Sequence, residues 1–346
     1  MIKTAFIAWL LIASCTAQSQ LQVNNLTAKE NKVKERFQFP QVRGNTPAVQ
    51  RMNNYMQSHL LLNTTQKTPL GNLFNRICIT DSATEMLMGI TGSTYTIYNN
   101  AKSILSLEVW SETMGAYPDQ FSTYFNFYTL TGELIYLNDL FGIEGLQQLN
   151  KYLQGQRTVL IDEHIKSYES DSMSVEDLNY MKNAFSECNT TQKQQNFLLY
   201  KDSILFFLDP CLPHVTRALD ANLTIKIPLK KLLPWLSNNG RAVLGIKKAA
   251  PVLSGINKPF YGTINNKLGI VLQFEVGEDG SCHGMYYYTS QGIGIECSGS
   301  FTNNQLSLQC SEESAEQFTG TYSNNTITGN WYHLKTGKAL PFSVKN

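Results

Sequence analysis

The segment CSGSFTNNQLSLQC, residues 297–310, decides how the C-terminal part of the chain folds. Asn tolerates the left-handed backbone that a tight hairpin needs, so Asn303-Asn304 reads as a two-residue loop. Thr302 then faces Gln305, Phe301 faces Leu306, Gly299 faces Leu308 and Cys297 faces Cys310. Odd steps outward from the closing pair are non-hydrogen-bonded sites, where facing side chains lie closest. Cys297 and Cys310 fall on such a site, which predicts a cross-strand disulfide. The competing reading is two separate buried thiols, since free Cys packs well in cores.

The same punctuation runs from Phe260 to Val344. Asn265-Asn266 and Asn324-Asn325 repeat the turn. A glycine followed two residues later by a large side chain recurs at Gly262/Ile264, Gly284/Tyr286, Gly299/Phe301, Gly320/Tyr322 and Gly329/Trp331. This is the rhythm of a meander of about eight short strands, closing as a small barrel or packing as a sandwich. Glycines within strands permit the sharp coiling that closure requires. Residues 259–346 are therefore expected to form an all-β module. The turn-rich stretch 238–258 reads as the linker before it.

Upstream, helix and strand signals mix. Thr46 is a good N-cap with Pro47 behind it, and Val49, Met52, Met56 and Leu60 mark one buried helical face. Strand patterns follow at Thr94–Tyr98, Ile104–Val109, Tyr124–Leu130 and, past a Thr131-Gly132 turn, Glu133–Leu137. Leu146, Leu149 and Leu153 share a helical face, Val159–Ile165 reads as a further turn or two, and Ser174 opens a capping box. Its helix would bury Leu178, Met181 and Phe185. A hairpin turning at Lys201-Asp202, a strand at Asn222–Ile227 and a short helix at Pro228–Leu236 complete residues 37–237 as an α+β module, an antiparallel sheet covered by helices.

The first 19 residues read as an export signal. Lys3 precedes a short apolar run from Ala5 to Ala13, too short to span a bilayer. Ile12-Ala13-Ser14-Cys15 fits a lipobox that would lipidate Cys15; Ala17-Gln18-Ser19 fits ordinary cleavage. Both remain open. Residues 20–36 are polar and read as a tether. No later segment has the length and apolarity of a transmembrane helix. The net charge of +1 comes without a basic stripe, which argues against nucleic acid as a partner.

Setting Cys15 aside leaves six cysteines, and an even count in an exported chain favours disulfides. Cys188 and Cys211 flank the 201–202 hairpin and form the second expected pair. Cys78 and Cys282 are left over; a bond between them would staple the two modules. No CxxC pair and only scattered histidines argue against zinc, and no metal or cofactor is expected.

Catalytic signatures are missing: no GxSxG, HExxH, P-loop or strand-following GxGxxG. His214 near Cys211, and Asp162-Glu163-His164, read more simply as a disulfide half and a solvated helix face. His283 and His333 read as ordinary strand positions. The rings of the meander are the candidate ligand residues: Tyr286, Tyr288, Tyr322 and Trp331. They would line an open barrel mouth or fill a closed core.

Leu105-Ser-Leu-Glu-Val109, Gly115-Ala-Tyr-Pro118, Phe125-Asn-Phe127, Thr131-Gly-Glu-Leu-Ile-Tyr-Leu-Asn-Asp-Leu-Phe141, and Phe197–Phe207 with the Ile225–Leu233 ending resemble a known envelope domain. It is the domain of unknown function in the extracellular part of lysozyme-sensing anti-sigma factors (RsiV-like) and beside some peptidoglycan deacetylases (PdaC-like). The resemblance implies an α+β fold with an antiparallel sheet under helices, an envelope location, and a protein or wall-derived ligand. The chain lacks the anti-sigma factor's transmembrane and sigma-binding segments and the deacetylase catalytic domain, so neither activity carries over. The expectation is a non-catalytic, exported binding protein, periplasmic or anchored through Cys15 to the outer membrane of a Gram-negative bacterium. The alternative is a wall-modifying hydrolase with an unrecognised site.

Overall fold

The computed structural model describes residues 20–26, 37–65, 73–80, 87–101, 103–170, 174–188, 193, 196–253, 255–277 and 279–346. The expected export signal, Cys15 included, lies outside them.

Strand β1 (Val23–Leu26) pairs antiparallel with β2 (Phe39–Val42). Part of the expected tether is thus a strand, because Leu26 is buried against the first core. Helix α1 (Pro47–Leu61) starts where expected, with Thr46 Oγ1 accepting from Val49 N at 3.2 Å. Strands β3 (Cys78–Thr80), β4 (Leu87–Ala101), β5 (Ile104–Met114), β6 (Pro118–Tyr128) and β7 (Glu133–Leu134) form an antiparallel sheet in sequence order. Met52 and Met56 of α1 join Leu105, Leu107, Val109, Phe125 and Phe127 in one core.

The strand expected to reach Leu137 stops at Leu134. Tyr136 instead caps a short helix α2 (Leu137–Leu140), its N–H bonded to Asp139 Oδ2 at 2.8 Å. The two helical pieces expected over 146–165 are one helix, α3 (Ile143–Ser170). Nothing in that stretch forces a break: its Gly155 is exposed and costs propensity only. Helix α4 (Val175–Glu187) begins at Ser174, whose Oγ accepts from Asp177 N at 3.1 Å, and buries Met181 and Phe185. Leu178 is only half-buried.

Strands β8 (Phe197–Tyr200), β9 (Ser203–Phe207) and β10 (Thr224–Pro228) form a second antiparallel sheet that packs on the open face of the first. Two buried polar side chains join the sheets. Leu199 N donates to Ser106 Oγ and Asn126 Oδ1, both at 3.0 Å, and Asn126 Nδ2 donates to Phe197 O at 2.7 Å. Side chains thus satisfy backbone groups that no strand neighbour reaches. Helices α5 (Leu229–Leu232) and α6 (Asn238–Val243) follow.

Within the expected linker 238–258, helix α6 and the side chains of Leu244, Leu253 and Lys258 pack against the first module, while 245–250 are exposed. Ser237 caps α6, and a Cβ at Gly240 would lie 2.0 Å from Leu140 O, so only glycine lets the two helices approach this closely. Asn239 clamps Val252 through both N–H and C=O.

The C-terminal module is a closed eight-stranded antiparallel barrel of β11 (Phe260–Ile264), β12 (Leu268–Val276), β13 (Ser281–Tyr288), β14 (Ile295–Thr302), β15 (Gln305–Cys310), β16 (Glu316–Ser323), β17 (Thr326–His333) and β18 (Lys338–Lys345). All three Asn-Asn pairs have positive φ. The β14–β15 register pairs Thr302 with Gln305 and Cys297 with Cys310, and the latter two are disulfide-bonded. Inward positions of successive strands, such as Phe260, Leu272, Tyr286, Leu308, Phe318 and Phe342, fill the interior.

Candidate functional site

The barrel is seated on the first module through backbone and side chains. Thr64 N donates to Gly292 O at 2.9 Å, and Gly294 N donates to Leu62 O at 3.0 Å, a strand-like exchange between the end of α1 and the β13–β14 loop. Leu62 makes the turn with a left-handed backbone. Arg76 locks this seam by donating to Leu62 O and Gly294 O at 3.0 and 2.6 Å. Buried Ser58 and Gln273 bond across it, Gln273 Nε2 to Ser58 Oγ at 3.1 Å.

A second attachment lies where the chain enters the barrel. Lys258 Nζ is 2.7 Å from Asp139 Oδ2, and both side chains are under a tenth exposed. Burial pushes the Asp139 carboxyl up and the Lys258 ammonium down, each opposed by the other's charge. Tyr136 donates its hydroxyl to Asn257 O at 2.6 Å beside this pair.

Between these attachments is a cleft of about 670 Å³. One wall is Tyr55, His59 and Leu62 of the α1 end. The other is the outer face of β12–β15, with Gln273, Glu275, His283, Met285, Glu296 and Ser298 brought together by strand alternation and register. Tyr55 and His59 stack at 5.5 Å, and burial pushes the His59 imidazole below its usual value against the pull of Glu275. Neutral imidazole, carboxylates, a thioether and aromatic faces can hydrogen-bond and pack an extended or cyclic polar ligand. Glu275, His283 and Glu296 face solvent. Among the described residues, no group of three or more His, Cys, Asp or Glu could hold a metal ion.

The four candidate rings do not share a site. Tyr286, Tyr288 and Trp331 lie toward one end of the barrel; Tyr322 is at the other, against Phe260 and Phe301, each 6.1 Å away. Tyr286 and Trp331 are buried core rings. Tyr288 and Tyr322 are half-buried, and the four rings line no single mouth among the described residues. Tyr288 and Trp331 meet a residue that sequence reasoning passed over. Glu316 points inward, in phase with Phe318, and its Oε1 accepts from the Tyr288 hydroxyl at 3.1 Å. Burial raises its carboxyl to about 7, with the Trp331 indole opposing the rise. The i, i+2 phase with Phe318 and Tyr322 was the available signal.

Cys188 and Cys211 are bonded, so Cys211 is a disulfide half. Cys78 and Cys282 are not bonded to each other and form no staple; Cys282 points into the barrel core. On α3, Asp162 and Glu163 face solvent, while His164 Nε2 lies 2.8 Å from Leu219 O and its ring packs against Phe185. His283 lines the cleft, and His333 ends β17. The signal that would have found the cleft is three-dimensional: its walls are more than 200 residues apart in sequence.

No described helix is long and apolar enough to cross a membrane. Two disulfides are compatible with an extracellular or periplasmic protein. No family model and no curated protein matches the chain. Among solved structures, a crystal structure of a member of the duf3298 family from Bacteroides fragilis is similar, at 14% identity and a TM-score of 0.39, over 66% of this chain and 96% of that one.

Proposed function

We propose that this is an exported cell-envelope binding protein, non-catalytic, whose ligand seat is the cleft between the α+β module and the barrel. One observation carries the reading: a cleft of about 670 Å³ is walled by both modules, while the barrel interior is filled by its own side chains. The ligand class is a protein segment or a wall-derived fragment, in keeping with the envelope-domain resemblance of residues 95–235. Export to the Gram-negative periplasm, with or without a lipid on Cys15, belongs to the same proposal. The test is a pull-down of the mature protein against lysozymes, peptidoglycan fragments and envelope extract, repeated with Ser298→Trp and Glu275→Lys. Capture that both variants lose while remaining folded supports the seat; capture untouched by either moves it elsewhere.

A second reading, a wall-modifying hydrolase, is favoured by one feature: the same cleft holds His59 with a lowered pKa near Glu275. Turnover of any wall substrate that His59→Ala abolishes would replace the binding assignment.

A further inference from the structure

The two disulfides sit in different electrostatic surroundings. Cys297–Cys310 is buried in the barrel core. Cys188–Cys211 is half-buried at the floor of an open depression lined by Tyr180, Asn183, Ala184, Glu187 and Pro213. It ties the end of α4 to the loop after β9. Beneath it lies Arg157 of α3, only 3% exposed. Its Nη2 is 3.0 Å from Cys211 Sγ, its Nη1 reaches Gln154 Oε1 at 3.4 Å, and its Nε has no hydrogen-bond partner. Arg157 makes no ion pair among the described residues. The acid acting on it is Asp220, whose two oxygens accept from Leu212 N and Ala221 N, both at 2.9 Å. A buried guanidinium is thus directed at a neutral sulfur.

A buried cation whose nearby acid is hydrogen-bonded elsewhere is only partly compensated, and a thiolate is a good counter-ion. Reduction of this bond would place a negative charge on the atom that Arg157 already touches. We propose that Cys188–Cys211 is a thiol–disulfide exchange site, with Arg157 as the positioning residue that stabilises the departing Cys211 thiolate, and with a small or protein-borne dithiol as its partner. The partner's thiolate attacks Cys188 Sγ, forming a mixed disulfide as the Cys188–Cys211 bond breaks and its electron pair leaves on Cys211. The partner's second thiolate then attacks its own sulfur in that mixed disulfide and releases Cys188 as a thiolate. The partner ends as a disulfide, and the two cysteines have gained two electrons and, after protonation, two protons. Leaving thiols of low pKa depart faster, which directs attack to Cys188 and not to Cys211.

The test uses the full oxidised chain. With limiting reduced glutathione, followed by alkylation and peptide mapping, the adduct is expected on Cys188 and the free thiol on Cys211. In dithiothreitol redox buffers, Arg157→Met should shift the equilibrium of this bond at least tenfold toward the disulfide, about 30 mV. Arg157→Lys should restore part of the shift, and Cys297–Cys310 should not move in either variant. Glutathione found mainly on Cys211, or an unchanged potential in Arg157→Met, overturns the proposal. If Arg157→Met does not fold, the adduct position in the parent protein still decides.

Discussion

Replacing Lys258 by Met should be among the most damaging single changes in the chain. The substitution keeps most of the length of the side chain and removes the charge. It leaves Asp139 buried, with the Tyr136 N–H as its remaining hydrogen bond of those described. At 2.7 Å, and with an effective dielectric constant of about 20, the lost attraction is about 6 kcal/mol before desolvation is subtracted. Breaking one side of a buried pair has a typical net cost of 3–5 kcal/mol. Against a total stability on the order of 5–15 kcal/mol, that is roughly a fifth or more. Adding Asp139→Asn removes the stranded charge while keeping an acceptor for Tyr136, so the double variant should regain most of the loss. The sign of the pH effect follows. Burial already holds the Asp139 carboxyl above its usual range, and without Lys258 it rises further. The penalty is present above that raised value and fades as pH falls through it. Lys258→Met should therefore lose less in mildly acidic than in mildly alkaline buffer. Urea unfolding followed by tryptophan fluorescence measures all three proteins. A single variant within about 1 kcal/mol of the parent, or a double variant no better than the single, would refute the reasoning.

Glu316 should make the barrel lose stability as pH rises. Its folded value of about 7 lies above that of an unfolded glutamate, so the favourable contribution is complete below the ordinary carboxylate range and gone above about 7. The total is at most about 3 kcal/mol, and thermal melts of Glu316→Gln should fall less steeply than the parent's across that window. Gly299→Ala should destabilise the barrel by at least about 2 kcal/mol, because the new Cβ would lie 1.9 Å from Ser307 O; a melting temperature equal to the parent's would contradict the strand packing described. Gly155→Ala, with nothing within 4 Å of the added methyl, should raise stability by about 0.5–1 kcal/mol in the same assay.

What the sequence made legible was local. Asn-Asn turns constrain their own backbone and hence the register of the strands they join, so counting outward from Asn303-Asn304 reached the Cys297–Cys310 pair. Thr46 and Ser174 cap helices with their own hydroxyls, and their signals need no distant partner. The features that position the site are different in kind. Asp139 and Lys258 meet across 119 residues, and Ser58 and Gln273 across 215. Each reads alone as an ordinary surface polar residue. In the turn-rich stretch 238–258 the turn signals are plain, but not that Asn239 clamps Val252 or that Gly240 lies against Leu140, since neither contact is local. The glutamate in the barrel was overlooked because one charged residue at a strand's edge carries little weight until its neighbours are known to face inward.

Strands β11 and β18 lie side by side, Tyr261 opposite Lys345, and the Asn346 side chain bonds back to Gly255 O just ahead of the barrel. A closed ring of strands whose first and last members touch is entered by one segment of chain, so hairpins far from its two attachments can be lengthened without rethreading either fold. Change in residues that face outward away from those attachments can then proceed without disturbing the helices and sheets that carry it.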